Sequence, residues 1–193
     1  MKYFAAVTLL WFSTSTASIA GNVCSAEVSN NDLVGTYTIS LGPGSLTVVT
    51  PNGGERVHEV PVKTGTATIA LYDNVPVLNT DDLAEGGVME IALEFAKPSE
   101  RTTDFLDDPA YLTMSAEDAA IVLGCESAFS IPQLIGAGTV TGNGVVVPNA
   151  VQLMVYAQDD GGISAVGVYD STVVSEATGG HLVFHLRVSM DPT

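Results

Sequence analysis

From residue 34 to residue 190, apolar and polar side chains alternate in short runs broken by glycine, proline and acidic residues. That is the period-2 pattern of half-buried strands. Residues 34–41 alternate, Gly42-Pro43-Gly44 interrupts, and residues 45–50 resume the pattern. Pro51-Asn52-Gly53-Gly54 is a strong turn signal, and strands are predicted on its far side over residues 55–62 and 66–71. Residues 87–95 place Met89, Ile91, Leu93 and Phe95 on one face and Val88, Glu90, Ala92 and Glu94 on the other. The apolar face of that strand is the one that meets a core. After a polar stretch, Ser115-Ala116-Glu117-Asp118 predicts a helix start, with Ser115 as N-cap, Asp118 in the capping-box position and Gly124 as the stop.

Strands return over residues 138–141, 145–147, 151–157, 163–169, 171–174 and 181–190. Residues 151–157 and 163–169 flank Asp159-Asp160-Gly161-Gly162 and predict a hairpin with a longer loop. Strands this closely spaced pair antiparallel, because a parallel crossover needs a dozen or more residues. The fold class is mainly β, a single-domain antiparallel β-barrel or β-sandwich with one short helix near residues 115–124.

The first 20 residues do not belong to that pattern. Lys2 precedes an apolar run over residues 4–12, and small residues follow, ending in Ser18-Ile19-Ala20. This is the layout of a secretory signal peptide cleaved after Ala20, too short an apolar run for a span of about 20 residues. The expected organisation is a signal peptide over residues 1–20 and one β-rich domain over residues 21–193, exported to the periplasm or the medium. Cys24 and Cys125 are the two cysteines of the chain, and in an oxidising compartment a disulfide is the simplest reading of such a pair. It closes a loop of about 100 residues and contributes about 4 kcal/mol in the chain-entropy picture. Gly21-Asn22-Val23 before Cys24 does not fit a bacterial lipidation signal.

Charge narrows the partners. The chain carries 22 acidic residues against 6 basic ones, too few cations to neutralise a phosphate backbone, so nucleic acid is excluded. Anionic membrane surfaces are disfavoured for the same reason. The acidity serves solubility or selects a basic protein partner.

Candidate chemistry is sparse. His181 and His185 are four residues apart on a strand, a separation of about 13 Å, and two ligands of one zinc each sit about 2.1 Å from it. With Arg187 and His58 they are read as polar-face residues, either wet or lining a barrel interior. The acidic clusters Asp81-Asp82, Asp104 with Asp107-Asp108, and Asp159-Asp160 lack the alternate-position acids of an EF-hand loop; solvated loop charge is the preferred reading and a structural calcium site the lesser one. Gly162-Ile163-Ser164-Ala165-Val166-Gly167 misses the nucleophile elbow at Val166. No catalytic set, metal site or cofactor is implied.

Asp32-Leu33-Val34-Gly35-Thr36-Tyr37 resembles the first strand of lipocalin-like barrels, with Tyr37 where that family has tryptophan, and Arg187 is the best match to its later arginine-bearing motif. The resemblance implies a barrel. Two readings follow: a binding protein that holds a small apolar ligand in a barrel of about eight strands, lined by the second faces of residues 34–41, 87–95 and 181–190; or a solid-cored interaction, inhibitor or envelope-associated module. An enzyme ranks behind both.

Overall fold

The computed structural model describes residues 28–84, 87–102, 116–122, 124–142, 145–158, 161–175 and 178–193. Nine strands follow in chain order: β1 Gly35–Val49, β2 Glu55–Val60, β3 Lys63–Tyr72, β4 Val75–Ala84, β5 Gly87–Phe95, β6 Gln133–Gly142, β7 Val145–Ala157, β8 Ile163–Val174 and β9 His181–Pro192. One short helix, α1 Ala116–Val122, lies between β5 and β6, with 3-10 turns at Asn30–Leu33, Pro98–Glu100 and Ala128–Ser130. No helix among the described residues is long and apolar enough to cross a membrane.

Every neighbouring pair is antiparallel, in the order β2-β1-β3-β4-β5-β6-β7-β8-β9, and β1 also pairs with β9. That last ladder closes the sheet. Strand β1 is long enough to serve two partners along one edge: residues 35–41 pair with β3, and residues 44–49 with β2. The molecule is a closed eight-strand antiparallel β-barrel with β2 as an extra strand, which decides between the barrel and the sandwich.

The register differs from the sequence expectation at three places. Gly42-Pro43-Gly44 does not separate two strands; β1 runs through it with a register shift against β9 between Leu41 and Gly44. A bulge of this kind bends a strand without ending it, and a side chain at Gly44 would collide with the backbone of His185 and Leu186. Asp170-Ser171 and Pro148 likewise lie inside the continuous strands β8 and β7. Strand β4 has no counterpart in the predicted elements. It follows β3 through a two-residue turn at Asp73-Asn74, both at positive φ (51° and 67°), the backbone that matches strand twist in a tight hairpin.

The helix is where the sequence puts it. α1 carries Glu117 and Asp118 in its first turn, and it ends as Gly124 and Cys125 donate back to the carbonyls of Ile121 (3.1 Å) and Ala120 (2.7 Å). Ser115 lies outside the described residues.

The barrel interior is packed with the apolar face of each strand. Ile39, Ile91, Leu93, Leu134, Leu153, Val155, Val188 and Met190 are all buried there, and the expected face of β5 is the buried one. The lower end is closed. The 3-10 turn at Asn30–Leu33 sits across it, Leu33 is buried, and the Tyr37 hydroxyl donates to the Leu33 carbonyl at 2.7 Å. Ser29 and Asp32 tie this plug together through a capping box. A second, smaller cluster lies on the outside, where Ala120, Ala128 and Ile131 pack against Met154 and Val168 of the wall.

Candidate ligand site at the open end of the barrel

Alternation along each strand fixes which side chains reach the lumen, and the ladders fix which of them share a level. The upper end gathers the last residues of β1, β4, β6 and β8 and the first of β5, β7 and β9. At this end the packing leaves a cavity of about 240 Å³. Its walls are Leu41, Met89, Val140, Val147, Phe184 and Leu186, with Val173 at the rim and the hydroxyls of Tyr169 and Ser171 as the polar groups. Below the cavity, β5 and β6 approach so closely that a Cβ at Gly138 would run into the Glu90 carbonyl.

Tyr169 is buried, and burial pushes its phenol above its ordinary pKa while the adjacent Ser171 hydroxyl opposes the shift. Ser171 donates to the Pro148 carbonyl at 3.0 Å. Every group lining the cavity is therefore apolar or a neutral hydroxyl at physiological pH. Such a site can exclude water and supply hydrogen bonds, but it offers no charged base or nucleophile pair for catalysis. Just below, Asn149 projects from the inner face of β7 between Gly138 and Ser171. It is 6% exposed, and neither of its amide atoms has a hydrogen-bond partner among the described residues; the same holds for the buried Thr80 hydroxyl.

A second hollow of about 330 Å³ sits at the tip of the wall and shares Val173 with the first. It is formed by Val48, Val49, Pro51, His181 and Leu182. A third, on the outer face of β5 to β8, measures about 530 Å³ and is a saddle of small residues, Ala92, Ala137 and Ala150, edged by Glu94 and Asp170.

The residues singled out from the sequence are dispersed. On β9 the inward side chains are Leu186, Val188 and Met190, so His181, His185 and Arg187 lie on the outer face. His185 Nδ1 meets Asp170 Oδ1 at 2.5 Å on the neighbouring strand, both partly in water. Ser45 stands opposite His185 on the other side. His58 opposes Leu46 on β2, and Leu46 opposes Phe184, which puts His58 on the lumen side of the wall and His185 on the outside. No group of three metal-ligating side chains occurs among the described residues. The expectation that second-face residues line the lumen is corrected: the first, apolar face of each strand fills the barrel, because an eight-stranded interior is only wide enough for packed side chains or one small ligand. Burial, with Asp191 nearby, raises the phenol of Tyr156, and Ser164 and Arg187 oppose that shift from the same outer wall.

Cys125 is half-buried against the outer cluster of Ala120, Ala128 and Ile131, and Cys24 lies outside the described residues. Asp107-Asp108 and Asp159-Asp160 are outside them as well. The lining residues Met89, Val140, Tyr169, Ser171 and Phe184 were visible only as members of alternating strands. Their level in the barrel is a product of register, which turns and buried faces fix pair by pair around the whole sheet and not within any one strand. No protein-family model matches the chain, and no curated protein matches it.

Proposed function

We propose that the protein is an exported, disulfide-bonded β-barrel that binds one small, largely apolar molecule in the open end of its lumen. The observation that carries the reading is the apolar cavity of about 240 Å³ under the rim, with two hydroxyls for orientation. Ligand sites have this composition, concave and apolar with a few polar groups, and an apolar cavity of about 150 Å³ already accepts benzene. The signal-peptide pattern of residues 1–20 supports export. That no cysteine among the described residues is free supports a Cys24–Cys125 bridge.

The test is native mass spectrometry of the protein recovered from its own source, alongside titration with a neutral apolar dye such as N-phenyl-1-naphthylamine. A small organic mass released on denaturation, and dye fluorescence abolished by Val140→Phe without loss of the fold, is the expected result. A ligand-free protein whose dye response is unchanged by Val140→Phe overturns it. The competing reading, a solid-cored module that meets a basic partner through its acidic surface, draws on the tight packing of the lower barrel and is what that outcome would favour.

A further inference from the structure

Strand β2, Glu55-Arg56-Val57-His58-Glu59-Val60, alternates charge by face. Residues directly opposite in an antiparallel pair share a face. His58 opposes Leu46, and Leu46 opposes the cavity-lining Phe184. Arg56 opposes Val48, and Val48 opposes Leu182. Lys63, at the start of β3, opposes Leu41, another lining residue. These three cationic or protonatable side chains are thus on the lumen side of the rim. Glu55 and Glu59 oppose Val49 and Ser45, on the outer side with His181 and His185. At strand spacings of about 5 Å, Lys63 stands one strand from the cavity wall at Leu41 and His58 two strands, about 10 Å, from Phe184.

This segregation runs against the composition. The chain has only six lysines and arginines against 22 acids, yet two of the six sit on the inner side of one short arm. Lys97 is paired with Glu100 at 3.1 Å and Arg101 donates to the Phe129 carbonyl, whereas neither Arg56 nor Lys63 forms an ion pair among the described residues. The wall is also open beside them: the β3–β4 ladder runs only from Thr68 opposite Asn79 to Tyr72 opposite Val75.

Building on the lumen reading above, the geometry points to a small amphiphilic anion as the ligand, its apolar part in the cavity and its charged head outside the mouth beside Lys63, with His58 and Arg56, further along the same margin, adding longer-range attraction at low salt. Scaled from the cavity that takes benzene, 240 Å³ admits about ten heavy atoms. That suits a free single-chain molecule and excludes the paired acyl chains of a membrane lipid.

Octanoate and 1-octanol, equal in chain length and different in charge, test this by calorimetric titration at low salt. Three proteins are compared: the wild type, R56Q/K63Q, and K97Q/R187Q, which removes the same charge away from the mouth. The expected result is that octanoate binds the wild type about tenfold more tightly than octanol, each exposed cation contributing a few-fold. That preference shrinks to about twofold in R56Q/K63Q and at about 0.5 M salt, where screening is strong, and it persists in K97Q/R187Q. Equal affinity for both probes in the wild type, or a preference that survives R56Q/K63Q, overturns the anion assignment and leaves the lumen reading standing. Failure of both probes to bind the wild type overturns the two together.

Discussion

Two buried amides in this barrel should respond in opposite directions to the same substitution. Asn149 is 6% exposed and Gln133 is 0% exposed. Asn149 has no hydrogen-bond partner for either amide atom among the described residues. Gln133 Nε2 donates to the Thr102 carbonyl at 2.9 Å, and its Oε1 accepts from the Thr102 amide (3.2 Å) and from Gln152 Nε2 (3.1 Å). A buried polar group left unpaired costs about 1–3 kcal/mol, and a made bond contributes about 1 kcal/mol net. Asn149→Leu removes the penalty and adds an apolar contact, offset in part by packing strain of about 1 kcal/mol. The net expectation is a gain of about 1–3 kcal/mol. Gln133→Leu loses three bonds, a cost of about 2–4 kcal/mol. In a domain of this size 1 kcal/mol moves the melting temperature by about 2–4 °C, so the two variants should separate by roughly 6 °C or more. Urea denaturation, with the slope checked for constancy, gives both values. A destabilised Asn149→Leu, or two shifts of the same sign, would refute the reasoning that pairing rather than burial governs these sites.

Alkaline pH offers a second test. Burial raises the phenol pKa of Tyr37, Tyr156 and Tyr169 in the folded state. A raised folded pKa means that the stabilisation is complete below the unfolded value of about 10 and is lost as pH rises through the folded values. Urea midpoints should therefore hold to about pH 10 and fall above it, less steeply in Tyr37→Phe. A Tyr37→Phe profile as steep as the wild type's would count against it. Leu153, fully buried in the lumen, should cost about 2–5 kcal/mol when cut to alanine, read from the same urea curves. The proposed Cys24–Cys125 bridge predicts that reduction lowers stability by about 2–5 kcal/mol and adds two hydrogens to the mass, and that Cys125→Ala abolishes both responses.

Much of the wall was legible along the chain because burial of one face leaves a period-2 record. The buried face of β5 and the hairpin joining β7 to β8 both follow from it. Strand β4 escaped because Pro76 and Asp81-Asp82 read as loop chemistry. Pro76 sits near the start of the strand, opposite Leu71, where a missing donor is tolerated. Gly42-Pro43-Gly44 reads as a terminator for the same local reason, yet the ladder to β9 carries β1 past it. The ligand site was legible least of all. Phe184 and Tyr169 are 15 positions apart, and neither the closure of the barrel nor the level of each ring follows from periodicity. The face of His58 became clear only from its partner Leu46, itself placed by Phe184.

A closed barrel has no edge to offer another chain, but this one keeps a bare margin, because β2 ends the sheet order and the first residues of β3 lack a β4 partner. Unpaired backbone along such a margin is a template for growth by strand addition. Here it runs through Glu55, Arg56, His58, Glu59, Pro61 and Lys63, charges of both signs and a proline that cannot donate. Together these residues guard against self-assembly, while Arg56, His58 and Lys63 among them also lie on the lumen side. Neutralising them would cost the protein its solubility before it cost it the fold, and the first sign would be fibres or strand-swapped dimers growing from this one margin.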